Sequence, residues 1–164
     1  MDYQEARKEF VQRWGSLGIN WGVNRILGQI HGLLLTSSEP MCADDIMSML
    51  EISRGSVNTN LRILVDWELI EKCHITDNRK EFFTAEKDMW IIFCQIIKQR
   101  RKKELDPLME TLETLAVLES SCDHSKELTN VIESIDIFSK KVDKALHQIV
   151  KEKPNFLVST YLRL

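Results

Sequence analysis

This 164-residue chain contains no apolar run long enough to span a bilayer; the apolar patch ending at Leu33 to Leu35 is broken by glycines and His31. Its first residues, MDYQEARKEF, are amphipathic and include acids, unlike a secretory signal, so a cytoplasmic protein with no membrane partner is expected. The four cysteines, Cys42, Cys73, Cys94 and Cys122, form neither a CxxC pair nor a disulfide framework. Cys73 beside His74, and Cys122 two residues before His124, are thin hints of metal ligation. A site needs three or four converging ligands, and neighbours on a strand point to opposite faces, so ordinary reduced thiols and no metal are expected. Missing as well are a phosphate-cradling glycine loop, an HExxH helix and a nucleophile elbow, which argues against an enzyme and against a cofactor. A net charge of −3 gives no long-range attraction to nucleic acid and leaves docking to the local surface.

What is present is enough apolar material, 43% of residues, for a real core, in a length that suits one compact domain plus an extension. The most informative stretch is ISRGSVNTNLRILVDW, Ile52 to Trp67. At about 100° per residue, Val57, Leu61, Leu64 and Val65 fall on one side of a helix. Ser56 and Thr59 fall opposite, Asn60 and Arg62 on the flanks, and Asn58 nearer the apolar border. The polar side therefore carries hydroxyls, amides and a guanidinium, groups that match base edges in a DNA major groove. Ser53 is a good N-cap, and Gly55 leaves the first turn free for another backbone to come close. The competing reading is an ordinary amphipathic helix with a polar back.

The flanks favour the first reading. Pro40 to Leu50 has Ile46, Met49 and Leu50 at helical spacing, with Asp44 and Asp45 in the first turn where the helix dipole favours acids. Only Glu51 and Ile52 separate it from Ser53, a helix-turn-helix spacing. Leu69 to Ile75 and Lys80 to Thr84 read as two strands around the turn formers Thr76, Asp77, Asn78 and Arg79. Helix, helix, hairpin is the order of a winged helix, with Arg79 and Lys80 placed to meet phosphates or a minor groove. From Ser53 to Lys80 the cations Arg54, Arg62, Lys72, Arg79 and Lys80 face the acids Asp66, Glu68, Glu71 and Asp77. That slight excess predicts modest non-specific affinity, with base contacts supplying much of the discrimination.

Around this centre, Asp2 to Leu17 reads as a first helix, loosened by Gly15 and Gly18, and Asn20 as the cap of a second helix to Thr36. Glycines inside that helix suggest close packing against a neighbour, with Trp14 and Trp21 as bulky partners. Thr84 is a cap for a long helix from about Ala85, and Pro107 a kink or a new start. Lys98 to Glu104 reads as a solvated face, with phosphate contact as its functional alternative. Leu105, Leu108, Leu112, Leu115 and Leu118 form a seam for another helix. After a break at Ser120 to Ser125, Leu128, Ile132, Ile135, Phe138, Val142, Leu146 and Ile149 mark a last helix that ends before Pro154. The tail from Asn155 to Leu164 reads as apolar and suited to packing on a partner subunit. Two-fold dimers match two half-sites on DNA.

The stretches WGVNRILGQIHGLLLTSSEPM, ISRGSVNTNLRILVDWELI, DNRKEFFTAEKDMW and RRKKELDPLMETLETL cover most of the chain. In that order they resemble the GbsR/MarR winged-helix regulators, particularly the branch of the glycine betaine synthesis repressor. The resemblance implies a homodimeric DNA-binding regulator, usually a repressor, with long terminal helices forming the dimer. It maps the reader onto Ser53 to Arg62 and the wing onto Asn78 to Lys80. Glu68 departs from the family's glycine after the reader, and Cys42 from its Ser or Thr cap. Some relatives are thought to respond to choline, for which Trp14, Trp21, Trp90 and Phe93 are cage candidates by cation–π contact; their competing reading is core aromatics.

The expected fold is mainly α with a small β-hairpin: an N-terminal helix (1–19) packing with the dimerisation region, a winged helix-turn-helix domain (20–84), and a helical dimerisation region (85–164). The expected function is a sequence-specific transcriptional regulator bound to double-stranded operator DNA and released by a small-molecule effector. The expected DNA-binding residues are Ser53, Arg54, Gly55, Ser56, Asn58, Thr59, Asn60, Arg62, Asn78, Arg79 and Lys80. The alternative is a winged-helix module that binds protein instead of DNA.

Overall fold

Glycines decide how the chain begins. Helix α1 (Tyr3–Asn20) runs straight through Gly15 and Gly18, which were expected to loosen it, because helix α2 (Arg25–Leu35) lies close against them. A Cβ on Gly28 would stand 2.9 Å from Gly15 Cα and 3.1 Å from the Trp14 carbonyl oxygen, so two backbones meet where only hydrogen fits. Trp14 lies over Gly32 as the bulky partner. The cap of α2 is Asn24, four residues later than expected; its Oδ1 accepts from the Leu27 amide at 2.8 Å. The computed structural model describes residues 1–20, 22–75, 79–115 and 123–151. They divide into two compact units, Met1–Ile92 and Phe93–Leu164. Helix α1 packs on α2 within the first unit.

After α2 come strand β1 (Met41–Cys42), helices α3 (Ala43–Leu50) and α4 (Arg54–Asp66), and strands β2 (Ile70–Cys73) and β3 (Phe82–Ala85). The sheet is antiparallel in the order β1-β3-β2, so the hairpin gains a third strand that the sequence did not suggest. Ile30, Leu34, Ile46, Val57, Leu64 and Ile70 are almost wholly buried and form the centre of this unit. Helix α3 is capped from its own first turn: Asp45 Oδ2 accepts from the Cys42 amide at 2.9 Å. The Cys42 thiol and amide together hold the Asp45 carboxyl below its ordinary pKa. Helix α4 ends with Glu68 at φ 56°, its amide bonded to Val65 O and the Leu69 amide to Leu64 O. That left-handed position is easiest for glycine, and here the turn keeps its shape with a strained Glu.

Lys87 fastens the end of α2. Its Nζ donates to Leu34 O, Leu35 O and Ser37 O at 2.7–2.9 Å, a cation placed on the negative end of the helix dipole. Helix α5 (Met89–Arg100) starts later than expected, because Thr84 and Ala85 belong to β3; Asp88 Oδ1 accepts from the Trp90 amide instead.

The boundary between the units falls inside α5, and the second unit continues through a π-helical turn (Arg101–Leu105) into α6 (Asp106–Leu115) and α7 (Asp123–Lys151). Pro107 explains the π turn: it has no amide hydrogen and its ring crowds the carbonyl four residues back, so the chain widens by one residue rather than breaking. The Asp106 amide accordingly reaches Arg101 O. Arg101 Nε pairs with the Asp143 carboxylate of α7. Helix α7 begins at Asp123, inside the break expected over Ser120 to Ser125. The expected tail, Asn155 to Leu164, lies outside the described residues, as does Leu118.

Two predictions follow from the α1–α2 contact. Gly28→Ala, a gain in helix propensity, should still cost about 1–3 kcal/mol in urea unfolding, because the added methyl meets backbone that cannot move aside. Unchanged stability would mean the helices are further apart. The second concerns His31, which is 4% exposed and accepts from the Trp14 indole at Nδ1 (3.1 Å), so its ring proton sits on Nε2. Burial, with the Lys87 charge adding to it, lowers its pKa from 6.5 to about 4. Between those values the unfolded chain binds the proton and the folded one does not. This group's contribution is therefore full above about pH 6.5, falls as pH drops, and is lost by about pH 4, a total of about 3 kcal/mol. Unfolding of His31→Gln across that window should lack this component; an identical pH profile would show that His31 titrates normally.

Candidate nucleic-acid interface

Helix α4 owes its orientation to its apolar residues. Val57, Leu61 and Leu64 are buried, and the helix packs on α2, α3 and β2. Ser53 caps it, its Oγ accepting from the Ser56 amide at 3.3 Å. With that rotation set, Ser53, Arg54, Gly55, Asn58, Thr59 and Arg62 are exposed and Ser56 is half-buried. A Cβ on Gly55 would meet nothing within 4 Å, so the first turn opens to solvent as expected. Arg62 forms no ion pair among the described residues. Asn58, Thr59 and Arg62, spaced to lie along one face, therefore make the outward polar row.

Asn60 differs from the expectation. It is 5% exposed and its amide is consumed internally. Its Oδ1 accepts from Asn24 Nδ2 at 2.8 Å, and its Nδ2 donates to Ser56 O at 2.8 Å. Asn24 meanwhile caps α2 with its own oxygen, so one chain of amide hydrogen bonds joins the start of α2 to the middle of α4. Asn60 is a structural residue in this geometry, and Asn24 is a partner that sequence reasoning missed. Its spacing on the flank of α4 was compatible with either role; an Asn just before the apolar run of α2 was the available signal.

The wing lies beside this row. Arg79 and Lys80 are exposed, while Asn78, like Thr76 and Asp77, lies outside the described residues. Lys72 on β2 pairs with Glu81 at 3.0 Å. Asp44, which was read as a helix-dipole acid, is also a hub: its Oδ1 is 2.5 Å from Arg54 Nη2 and its Oδ2 is 2.9 Å from Lys80 Nζ. The Lys80 hydrogen bond and the Arg54 charge hold the Asp44 carboxyl below its usual range, and Asp44 raises Lys80 in return. Two of the cations expected to contact DNA, Arg54 and Lys80, are thus paired within the chain.

Of the proposed aromatic cage, Trp14 is committed to its own unit: it stacks on Phe10 at 5.4 Å and bonds to His31. Trp90 is half-buried in the first unit, Phe93 is exposed in the second, and Trp21 lies outside the described residues. Cys42 and Cys94 are buried and Cys73 is half-buried; Cys122 is outside the described residues. Among the described residues no three His, Cys, Asp or Glu side chains converge as metal ligands. No described helix is long and apolar enough to cross a membrane.

Helix, tight turn, exposed second helix and wing define a winged helix-turn-helix domain, the type carried by bacterial transcriptional regulators. Comparison with known proteins agrees. A family model for the bacterial regulatory protein, arsR family, matches residues 33–72, which run from the end of α2 into β2. The HTH-type transcriptional repressor GbsR of Bacillus subtilis is 26% identical over 93 residues, 57% of this chain and 51% of that protein. The HTH-type transcriptional regulator MmpR5 of Mycobacterium tuberculosis is 28% identical over 76 residues, 46% of each. The chain thus spans about half the length of the curated relatives it matches. The crystal structure of a transcriptional regulator aligns with a TM-score of 0.62 at 20% identity, covering 90% of this chain and 99% of that one, a likeness of fold. The resemblance to the glycine betaine synthesis repressor read from the sequence is supported by the first of these relatives.

Asn60→Ala should lower the unfolding free energy by about 1 kcal/mol, since it removes a buried side chain that is hydrogen-bonded at both ends, to Asn24 Nδ2 and to Ser56 O. A variant of unchanged stability in urea titration would return Asn60 to the reading face.

Proposed function

We propose that this chain is a homodimeric, sequence-specific DNA-binding regulator, acting as a repressor, that inserts α4 into a major groove and lays its wing along the neighbouring backbone. The observation that carries this reading is the outward row Asn58, Thr59 and Arg62 on a helix whose opposite side is locked into the core. Amide and guanidinium groups pair bidentately with base edges, whereas a helix back built only for solubility would carry Lys and Glu. Ser53, Arg54, Gly55 and Ser56 at the start of the helix, with Arg79 and Lys80 on the wing, serve the sugar-phosphate contacts that fix register. Asn60 is left out of the reading set.

A second copy of the chain is the partner that suits helix α7. Leu128, Val131, Ile135 and Phe138 recur at intervals of three, four and three residues and remain 41–66% exposed. That is a coiled-coil seam with no helix covering it among the described residues, and apolar rows of this kind mark association surfaces. A symmetric pair would present two copies of α4 to two half-sites. A small molecule that binds one geometry of the dimer more tightly would change operator affinity by that difference in binding energy.

Arg62→Ala and Asn58→Ala should each weaken operator binding by about 1–3 kcal/mol while the fold, followed by circular dichroism, stays intact. Titration over increasing salt separates this from protein recognition, because only duplex binding falls steeply with salt while keeping sequence preference. Full operator affinity in both variants would remove α4 as the reader.

A further inference from the structure

The Asp44 hub invites a question of function, since stability does not account for it. Arg54, Lys80 and Asp44 keep 64%, 56% and 34% of their side-chain surface, and ion pairs this exposed add little to a fold. Yet the geometry is specific. One carboxylate oxygen faces each cation, and the three residues come from the first turn of α3, the first turn of α4 and the wing. They border a cavity of about 210 Å³, also lined by Cys42, Asn58, Glu81 and Phe83. Of the other acids nearby, Glu81 is paired with Lys72 and Asp45 is bonded to the Cys42 amide, so Asp44 is the one that spans both cations. A backbone phosphate likewise offers two unesterified oxygens to cations.

We propose that Asp44 is an internal stand-in for a DNA phosphate, holding Arg54 and Lys80 across the notch between α3, α4 and the wing until the duplex backbone takes its place. This rests on the reading of α4 and the wing given above. Docking then exchanges one anion for another. The displaced carboxylate stays close enough to repel the phosphate, so the pair restrains affinity for every duplex equally and leaves base discrimination to Asn58, Thr59 and Arg62. Asp44 is a positioning residue that tunes the sequence-independent part of binding.

The test compares full-length wild type with Asp44→Asn on a mixed-sequence duplex between about 50 and 200 mM salt. Asp44→Asn should bind about tenfold tighter, and its slope of log affinity against log salt should steepen by about 1 per protomer as the acid that competes with the phosphate is removed. Should the Asn variant be poorly folded, Asp44→Ser carries the same expectation. Unchanged or weaker binding would overturn the proposal, since the carboxylate would then be arranging the cations productively. Asp66→Asn, which removes an exposed acid from the far end of α4, should shift affinity much less. An equal shift would reduce the effect to net charge and likewise overturn it. If neither protein binds duplex, the DNA reading fails on its own, and heparin retention decides the rest. Later elution of Asp44→Asn would keep the masking of Arg54 and Lys80, and equal elution would remove it.

Discussion

Val57, Leu61 and Leu64 carry almost no exposed surface, and their burial leaves α4 one rotation about its axis. The Asn24–Asn60 hydrogen bond adds a directional constraint to that non-directional one, because a buried amide has to find its partner whereas a buried methyl can slide. Everything proposed for the outward face depends on this setting. A turn of about 100°, one residue's worth, would bring another set of side chains to the surface. The close α1–α2 crossing supports it from behind: Gly15 and Gly28 let two backbones touch, and the start of α2 is where Asn24 reaches α4.

Charge is used sparingly on the proposed reading side. Lys72 is spent on Glu81, and Arg54 and Lys80 share Asp44, which leaves Arg62 as an exposed cation at the end of the row with no ion pair among the described residues. A surface so balanced attracts the phosphate backbone weakly and places more of the burden on contacts that depend on sequence. The net charge of −3, which gives no long-range attraction to nucleic acid, fits a domain of this design once the local pairing is known.

Much of this was legible from spacing. The helix-turn-helix, the hairpin and the terminal helices follow from apolar periodicity, which reports burial directly. What periodicity does not report was misread or unseen. Asn60 sits on the border of the apolar face, where a buried amide and an exposed one look alike. Strand β1 is only two residues long, too short to alternate. Gly15 and Gly18 read as loosening the helix, and only the neighbouring helix shows that they are contact points. Asn20 reads as the cap of α2 where Asn24 serves, and Asp44 could not reveal its pairing, because Arg54 lies 10 residues away and Lys80 36. These are tertiary facts, written in pairs of distant residues. Glu68 went the other way: the missing glycine was visible in the sequence, and the structure shows the left-handed turn persisting without it.

The account rests on a reader helix duplicated by symmetry, and selection of bound fragments from a random duplex pool by the purified full-length protein tests that most directly. It predicts an enriched motif with two inverted half-sites whose centres lie about one helical turn, roughly 10 base pairs, or a multiple of it apart. A pool that emerges unenriched, or enriched for a single half-site with no inverted mate, would contradict it.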